Sequence, residues 1–204
     1  MKSWVRTLLI CLFAEALNFF TALLLYDTLH IPLFFDTIFT VAVTFYCGLV
    51  PGLCVGAFYN VIATLTLPLR GYTFEPYAFL FGICGMLVAF ATWIFARRKE
   101  EFRVSAGVTV LYLGLIAMFS SALAVLSSGI IDYVRFTLAE LPDRLAPVKN
   151  FTDSFVSLNF SLLASCFLAQ IPISITDRLV STFAGYGVYR IAVKFLGEES
   201  WTSR

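Results

Sequence analysis

Apolar residues fill long stretches of this chain, and polar ones are confined to short breaks between them. A helix crosses a hydrocarbon layer about 30 Å thick with roughly 20 apolar residues. Five stretches approach or exceed that length: residues 4–26, 34–50, 53–68, 77–96 and 104–127. The first carries two marks of a signal peptide, since Lys2 and Arg6 precede an apolar run and Ala14-Glu15-Ala16 mimics a cleavage site. Its apolar core before that site covers only Thr7 to Phe13, and hydrophobicity resumes through Leu25, so a retained helix is predicted. The second and third stretches are joined by Gly48-Leu49-Val50-Pro51-Gly52, read as a tight hinge. Gly48, Gly52, Gly56 and Ala57 are small enough for two spanning helices to approach closely.

Beyond residue 127 the pattern changes. Residues 130–149 hold Asp132, Arg135, Glu140, Asp143 and Arg144, with Pro142 and Pro147, and such charges do not cross lipid cheaply. Residues 154–171 are apolar but studded with Ser157, Asn159, Ser161, Ser165 and Gln170, and Pro172 is expected to break that helix. The last stretch, 173–195, opens with Thr176-Asp177-Arg178. The charges then choose between six crossings and seven. Arg97, Arg98, Lys99 and Arg103 form the densest basic cluster, which predicts a cytoplasmic loop. Six crossings also put Lys2, Arg6, Arg190, Lys194 and Arg204 on that side, whereas seven export the C-terminal group. The expectation is an all-α integral membrane protein: a six-transmembrane-helix bundle forming a single domain over residues 1–204, with both termini cytoplasmic. Residues 154–171 would form an additional re-entrant or interfacial helix on the outer face before the last span. Asp177 would sit near the outer N-terminus of that span, where the helix dipole favours a carboxylate.

Composition strengthens this picture. Only 13% of residues are charged, against roughly 25% in a soluble domain, and 60% are hydrophobic. A net charge of +1 gives no reason to expect nucleic acid as a partner. Cys11, Cys47, Cys54, Cys84 and Cys166 all lie in apolar stretches without a CxxC pair and read as small hydrophobes. The single histidine, His30, lies in a short polar loop, so neither a metal site nor a cofactor is expected. Trp93 and Trp201 read as interfacial anchors near the cytoplasmic face. No GxxxxGK[ST] occurs, no histidine lies inside a span to serve a serine nucleophile, and no paired carboxylates sit within helical reach inside the spans. No enzyme activity is therefore expected, which leaves a binding or transport component that draws its energy from partners.

Pro32-Leu33-Phe34-Phe35-Asp36-Thr37-Ile38, the Gly48–Gly52 hinge and Val55-Gly56-Ala57-Phe58-Tyr59-Asn60 together resemble the second and third helices of energy-coupling factor (ECF) transporter S components. In those proteins a Gly-Pro turn joins the two helices and a small-residue run leads to an Asp or Asn. The run Ile171-Pro172-Ile173-Ser174-Ile175-Thr176-Asp177-Arg178-Leu179-Val180-Ser181 is similar to the start of the last helix in an uncharacterised branch of that family. The two regions cover about a quarter of the chain. The resemblance implies a subunit of a prokaryotic cell membrane that captures a vitamin or related micronutrient from outside. Its implied partners are a transmembrane coupling subunit and two ATPase subunits, which hydrolyse the ATP. Two departures stand out. Family members often carry Ala-x-x-x-Ala on the first helix for packing on the coupling subunit, whereas Ala14, Asn18 and Ala22 form the corresponding ridge here, interrupted by Asn18. The turn also reads Val-Pro-Gly rather than Gly-Pro.

The resemblance implies a pocket on the outer side. On the expected topology the outer layer holds Asp36, Thr37, Asn60, Thr64, Tyr72, Glu75, Tyr77, Ser120, Ser121, Tyr133, Asn159 and Asp177. Of these, Asn60, Asp36, Thr37, Tyr72, Glu75, Ser121, Asn159 and Asp177 are the candidate substrate-binding residues. Asn60 leads, as a polar amide closing an apolar span; the competing reading is a helix–helix hydrogen bond. Asp36 competes with a capping role, Tyr72 and Glu75 with an exposed loop, and Asp177 with an ion pair to Arg178. Glu15, in mid-span, must be paired or neutral, and the coupling subunit or a buried Arg178 are the partners available to it. Two other functions stay open: a membrane-embedded sensor relaying ligand occupancy to a signalling protein, and a scaffold without a small ligand. Aromatic and amide groups suit thiamine, pyridoxine, pantothenate or a nucleobase derivative equally.

Overall fold

A computed structural model describes residues 3–28, 33, 35–138 and 146–197. His30, Trp201, Lys2 and Arg204 lie outside the described residues. Helix α1 covers Ser3–Ala22 and runs on as a π-helical segment, Leu23–Thr28. It is followed by α2 (Ile38–Cys47), α3 (Leu49–Leu65), 3-10 turns at Pro68–Arg70 and Pro76–Phe81, and α4 (Gly82–Ala96). A single turn, α5 (Glu101–Val104), leads to α6 (Ala106–Leu138), α7 (Ala146–Ser157) and α8 (Leu162–Leu196). No strand occurs among the described residues. Trp4–Leu25, Pro76–Ala96, Ala106–Leu138 and Leu162–Leu196 are each long and apolar enough to cross a membrane, while α2 and α3 are apolar but shorter. Large apolar side chains such as Phe13, Phe58, Leu111 and Ile191 stand exposed on the outside of the bundle, a surface suited to lipid.

Helix α2 is the centre of the molecule. Thr40 to Tyr46 are all buried, and the helix packs against α1, α3, α4 and α8. Ten residues rise only about 15 Å, so its ends are met by protein. The hinge after it is a single residue, Gly48, at φ 92°, a conformation that favours glycine. The expected third span therefore begins earlier than residue 53: Leu49, Val50 and Pro51 already belong to α3, and Pro51 is tolerated because a first-turn N–H has no intrahelical partner to lose. Where α3 crosses α4, the backbones of Gly56 and Gly85 nearly touch. A Cβ on Gly85 would lie 2.1 Å from the Gly56 carbonyl oxygen.

Two expectations are corrected in the C-terminal half. Pro172 does not break a helix: α8 runs unbroken from Leu162 to Leu196, packed along its length against α2, α6 and α7. Residues 154–171 are accordingly no separate re-entrant or interfacial helix. They divide into the end of α7, a turn through Asn159 at φ 65°, and the opening turns of α8. Helix α6 does not stop near residue 127 but continues to Leu138, carrying Asp132 and Arg135 inside the bundle, where both find partners.

The bundle has two chemically distinct ends. At one, Phe45, Phe102, Tyr186 and Tyr189 form an aromatic cluster of edge-on, tilted and stacked pairs with ring centres 5.3–5.7 Å apart, and Lys99, Arg103 and Arg190 gather beside them. There Arg6 donates to the Leu196 carbonyl at 2.6 Å, and the Tyr46 hydroxyl donates to that of Gly197 at 2.8 Å, tying α1, α2 and α8 together. The opposite end holds the start of α2, the end of α3, the start of α4 and the polar turns of α6 and α8.

Candidate functional site

A cavity of about 110 Å³ opens among α1, α2, α3, α4, α6 and α8 at the end away from Lys99, Arg103 and Arg190. One enclosed water needs roughly 10–15 Å³ of such space, so there is room for a larger guest. Tyr59, Leu67, Phe81 and Ile173 supply apolar walls, and polar groups converge between them. Such a mixture is the usual make-up of a small-molecule site.

The expected residues divide. Asp36, Thr37, Asn60 and Asp177, four of the eight candidates, line the cavity together, as does Thr64. Asn60 makes only a long 3.4 Å bond, from its amide nitrogen to the Gly56 carbonyl one turn back. Asp177 is buried on α8 and does more than pair with Arg178. Its Oδ1 accepts the backbone N–H of Phe35 at 2.8 Å, holding a bulky residue at φ 46°, where non-glycine residues seldom sit. Its Oδ2 lies 3.0 Å from Arg178 Nη2. Arg178 also donates to Thr37 Oγ1 and lies 3.9 Å from Asp36 Oδ1. The ion-pair reading of Asp177 and a place in the cavity wall thus hold at once.

The other four fall elsewhere. Glu75 stands behind the wall, buried, accepting from Arg135. Tyr72 does not line the cavity but lies with its ring 5.8 Å from the Arg70 guanidinium, and Arg70 does line it. Ser121 is buried below, donating to the carbonyls of Ala117 at 2.7 Å and Ser174 at 3.3 Å. Asn159 is exposed in the turn between α7 and α8, and its positive φ gives it a conformational role.

Sequence reasoning passed over a second cluster. Arg135 lines the cavity and donates from Nη1 to Asp132 Oδ1 at 3.0 Å and from Nη2 to Glu75, while Gln170 donates to Asp132 Oδ2. The Arg135 guanidinium lies 5.2 Å from the centre of the Phe81 ring. The signal was present in two spacings. Asp132 and Arg135 are three residues apart, and Gln170, Ser174 and Asp177 repeat at helical intervals along one face of α8.

On α1, the small-residue ridge points inward. Ala14, Asn18 and Ala22 are buried, and Ala22 lines the cavity. Asn18 Oδ1 accepts the Phe39 N–H at 3.0 Å and its Nδ2 donates to Thr40 Oγ1 at 3.1 Å, so α1 caps the first turn of α2 from outside. This face packs within the chain itself. Glu15 pairs with neither Asn18 nor Arg178. Both its carboxylate oxygens are buried without a hydrogen-bond partner among the described residues, beside an apolar groove between α1 and α3. No protein-family model, curated protein or solved structure matches this chain.

Proposed function

We propose that this protein is a substrate-capture subunit of an importer of the ECF type, binding a vitamin-like solute from outside while partner subunits hydrolyse ATP. One observation carries the reading. The cavity, with polar groups converging between apolar walls, lies at the end of the bundle opposite Arg97, Arg98, Lys99, Arg103 and Arg190. Basic clusters mark the cytoplasmic side, so the cavity faces outward, where an uptake protein meets its cargo. Helices α1, α2, α3, α4, α6 and α8 run alternately between the two ends, an arrangement that supports six crossings with the start of α1 and the end of α8 on the cytoplasmic side. The two shorter ones, α2 and α3, form a hairpin; α2 is buried from Thr40 to Tyr46 and is surrounded by protein more than by lipid. The resemblance of the Pro32–Asn60 and Ile171–Ser181 segments to S components supports the same reading, and Asp36, Thr37, Asn60 and Asp177 are cavity residues drawn from those segments.

The test is native mass spectrometry of the detergent-purified protein, with co-purification from its own membranes. A retained vitamin-sized solute and ATPase subunits in the eluate are expected, with retention lost in Asn60→Ala. An empty protein that brings down a signalling partner, or nothing, overturns the reading.

A further inference from the structure

We infer that a cleft at the basic end of the bundle binds a phosphate ester, carried by a lipid headgroup or by a soluble phosphate compound. The cleft is separate from the cavity at the opposite end, and the inference does not depend on the capture reading.

The cleft holds about 510 Å³, within the roughly 300–1,000 Å³ usual for small-molecule sites. Lys99 and Arg103 line it from the connection between α4 and α6, Arg190 lines it from α8, and the aromatic cluster makes its floor. No carboxylate lines it among the described residues; Glu100 and Glu101 neighbour Lys99 in the chain but stand outside the lining. A cytoplasmic loop collects basic residues whatever its shape. That rule leaves the convergence unexplained. Arg97 and Arg98, from the same connection, do not line the cleft, whereas Arg190, from a helix distant in the chain, does.

A phosphate monoester carries a charge of about −1.5 to −2 and three acceptor oxygens near neutral pH. Three cations suit it, where the single charge of a carboxylate would leave them in excess. Arg103 and Arg190 carry the planar fork that grips phosphate oxygens in pairs. Arg190 is held at the wall: its Nη1 donates to the Tyr186 hydroxyl at 3.3 Å, and its guanidinium lies 5.9 Å from that ring's centre. The hydroxyl accepts there and keeps its own proton to donate. Helix α6 adds to the field. Its 33 residues begin at the cleft, where Ser105 and Ala106 are lining residues and Ser105 Oγ accepts the Val108 N–H at 3.2 Å. The positive end of that helix dipole therefore faces the ligand. Basic pockets between membrane helices on the cytoplasmic side suit anionic headgroups, and Val193 with the aromatic floor offers the ester an apolar surface.

The readout is the melting temperature of the full-length protein in an uncharged detergent at fixed ionic strength. Three probes separate the cases. Dihexanoyl phosphatidic acid and glycerophosphate carry the same phosphate monoester with and without a lipid body, and dihexanoyl phosphatidylcholine keeps the body but has no net charge. Phosphatidic acid is expected to raise the melting temperature and phosphatidylcholine to leave it unchanged. A shift with phosphatidic acid and none with glycerophosphate assigns the site to lipid; a shift with glycerophosphate assigns it to a soluble phosphate compound. Arg103→Gln is expected to abolish most of the shift. Lys99→Gln should weaken it as well, which keeps the test open if the first variant does not fold. Arg98→Gln, which removes the same charge outside the cleft, should retain it. No shift with either phosphate, an equal shift with phosphatidylcholine, or a loss in Arg98→Gln as large as in Arg103→Gln overturns the inference. The capture reading fails on a separate result, the absence of any retained solute and ATPase partner.

Discussion

Asn18 shows how a single buried amide organises its surroundings. With no exposed surface, it meets the Phe39 N–H and the Thr40 hydroxyl at once. Truncation to alanine would leave both groups without a partner in a place water does not reach. Unsatisfied buried polar groups cost about 1–3 kcal/mol, so Asn18→Ala is expected to destabilise the protein by that order, read by SDS titration in mixed micelles. A neutral Asn18→Ala would refute the cap. The arginines follow the same rule with higher stakes: Arg178 and Arg135 are tolerated inside only because carboxylates and polar oxygens meet their Nη groups. Asp36, Thr37, Asn60 and Asp177 were readable as site residues because polar groups at the ends of apolar helices have few other uses. Arg135 and Asp132 were not, because their partners Glu75 and Gln170 are distant in the chain and only folding makes their burial affordable.

At the scale of elements, the close crossing of α3 and α4 decides where the cavity walls stand. Asn60 on α3 and Cys84 on α4 both line it, and between them the helices touch at Gly56 and Gly85. Since a Cβ on Gly85 would fall 2.1 Å from backbone oxygen, relief needs the helices to move apart. Gly85→Ala is expected to destabilise the bundle by about 1–3 kcal/mol as an overpacked contact and to weaken ligand retention. Gly114, with open space around it, serves as the control, so Gly114→Ala should leave both unchanged. Equal behaviour of the two variants would sink this account. Helix α8 teaches the complementary lesson. Proline is a reliable local breaker, yet Pro172 removes only one N–H from a helix of 35 residues, and packing on three neighbours outweighs that loss.

At the scale of the whole molecule, the two ends differ in charge, and that difference sets orientation. Single cysteines at Tyr72 and Asn159, both at the cavity end, and at Arg98, at the basic end, would be labelled in intact cells by a membrane-impermeant maleimide, in a background with the five native cysteines replaced. Labelling is expected at Tyr72 and Asn159 from outside, and at Arg98 only after permeabilisation. The reverse pattern would turn the cavity toward the cytoplasm and end the capture reading. The helical class, the apolar helices and the separation of the basic cluster from the site were legible in the chain, because hydropathy and charge act locally and survive any arrangement of the helices. What the tertiary structure decided was which polar residues meet. Whether Ala14, Asn18 and Ala22 face in or out, whether Asp132 and Arg135 are loop charges or cavity charges, and how many carboxylates each arginine carries all depend on contacts between distant segments, and a buried charge is stable or costly according to those contacts alone.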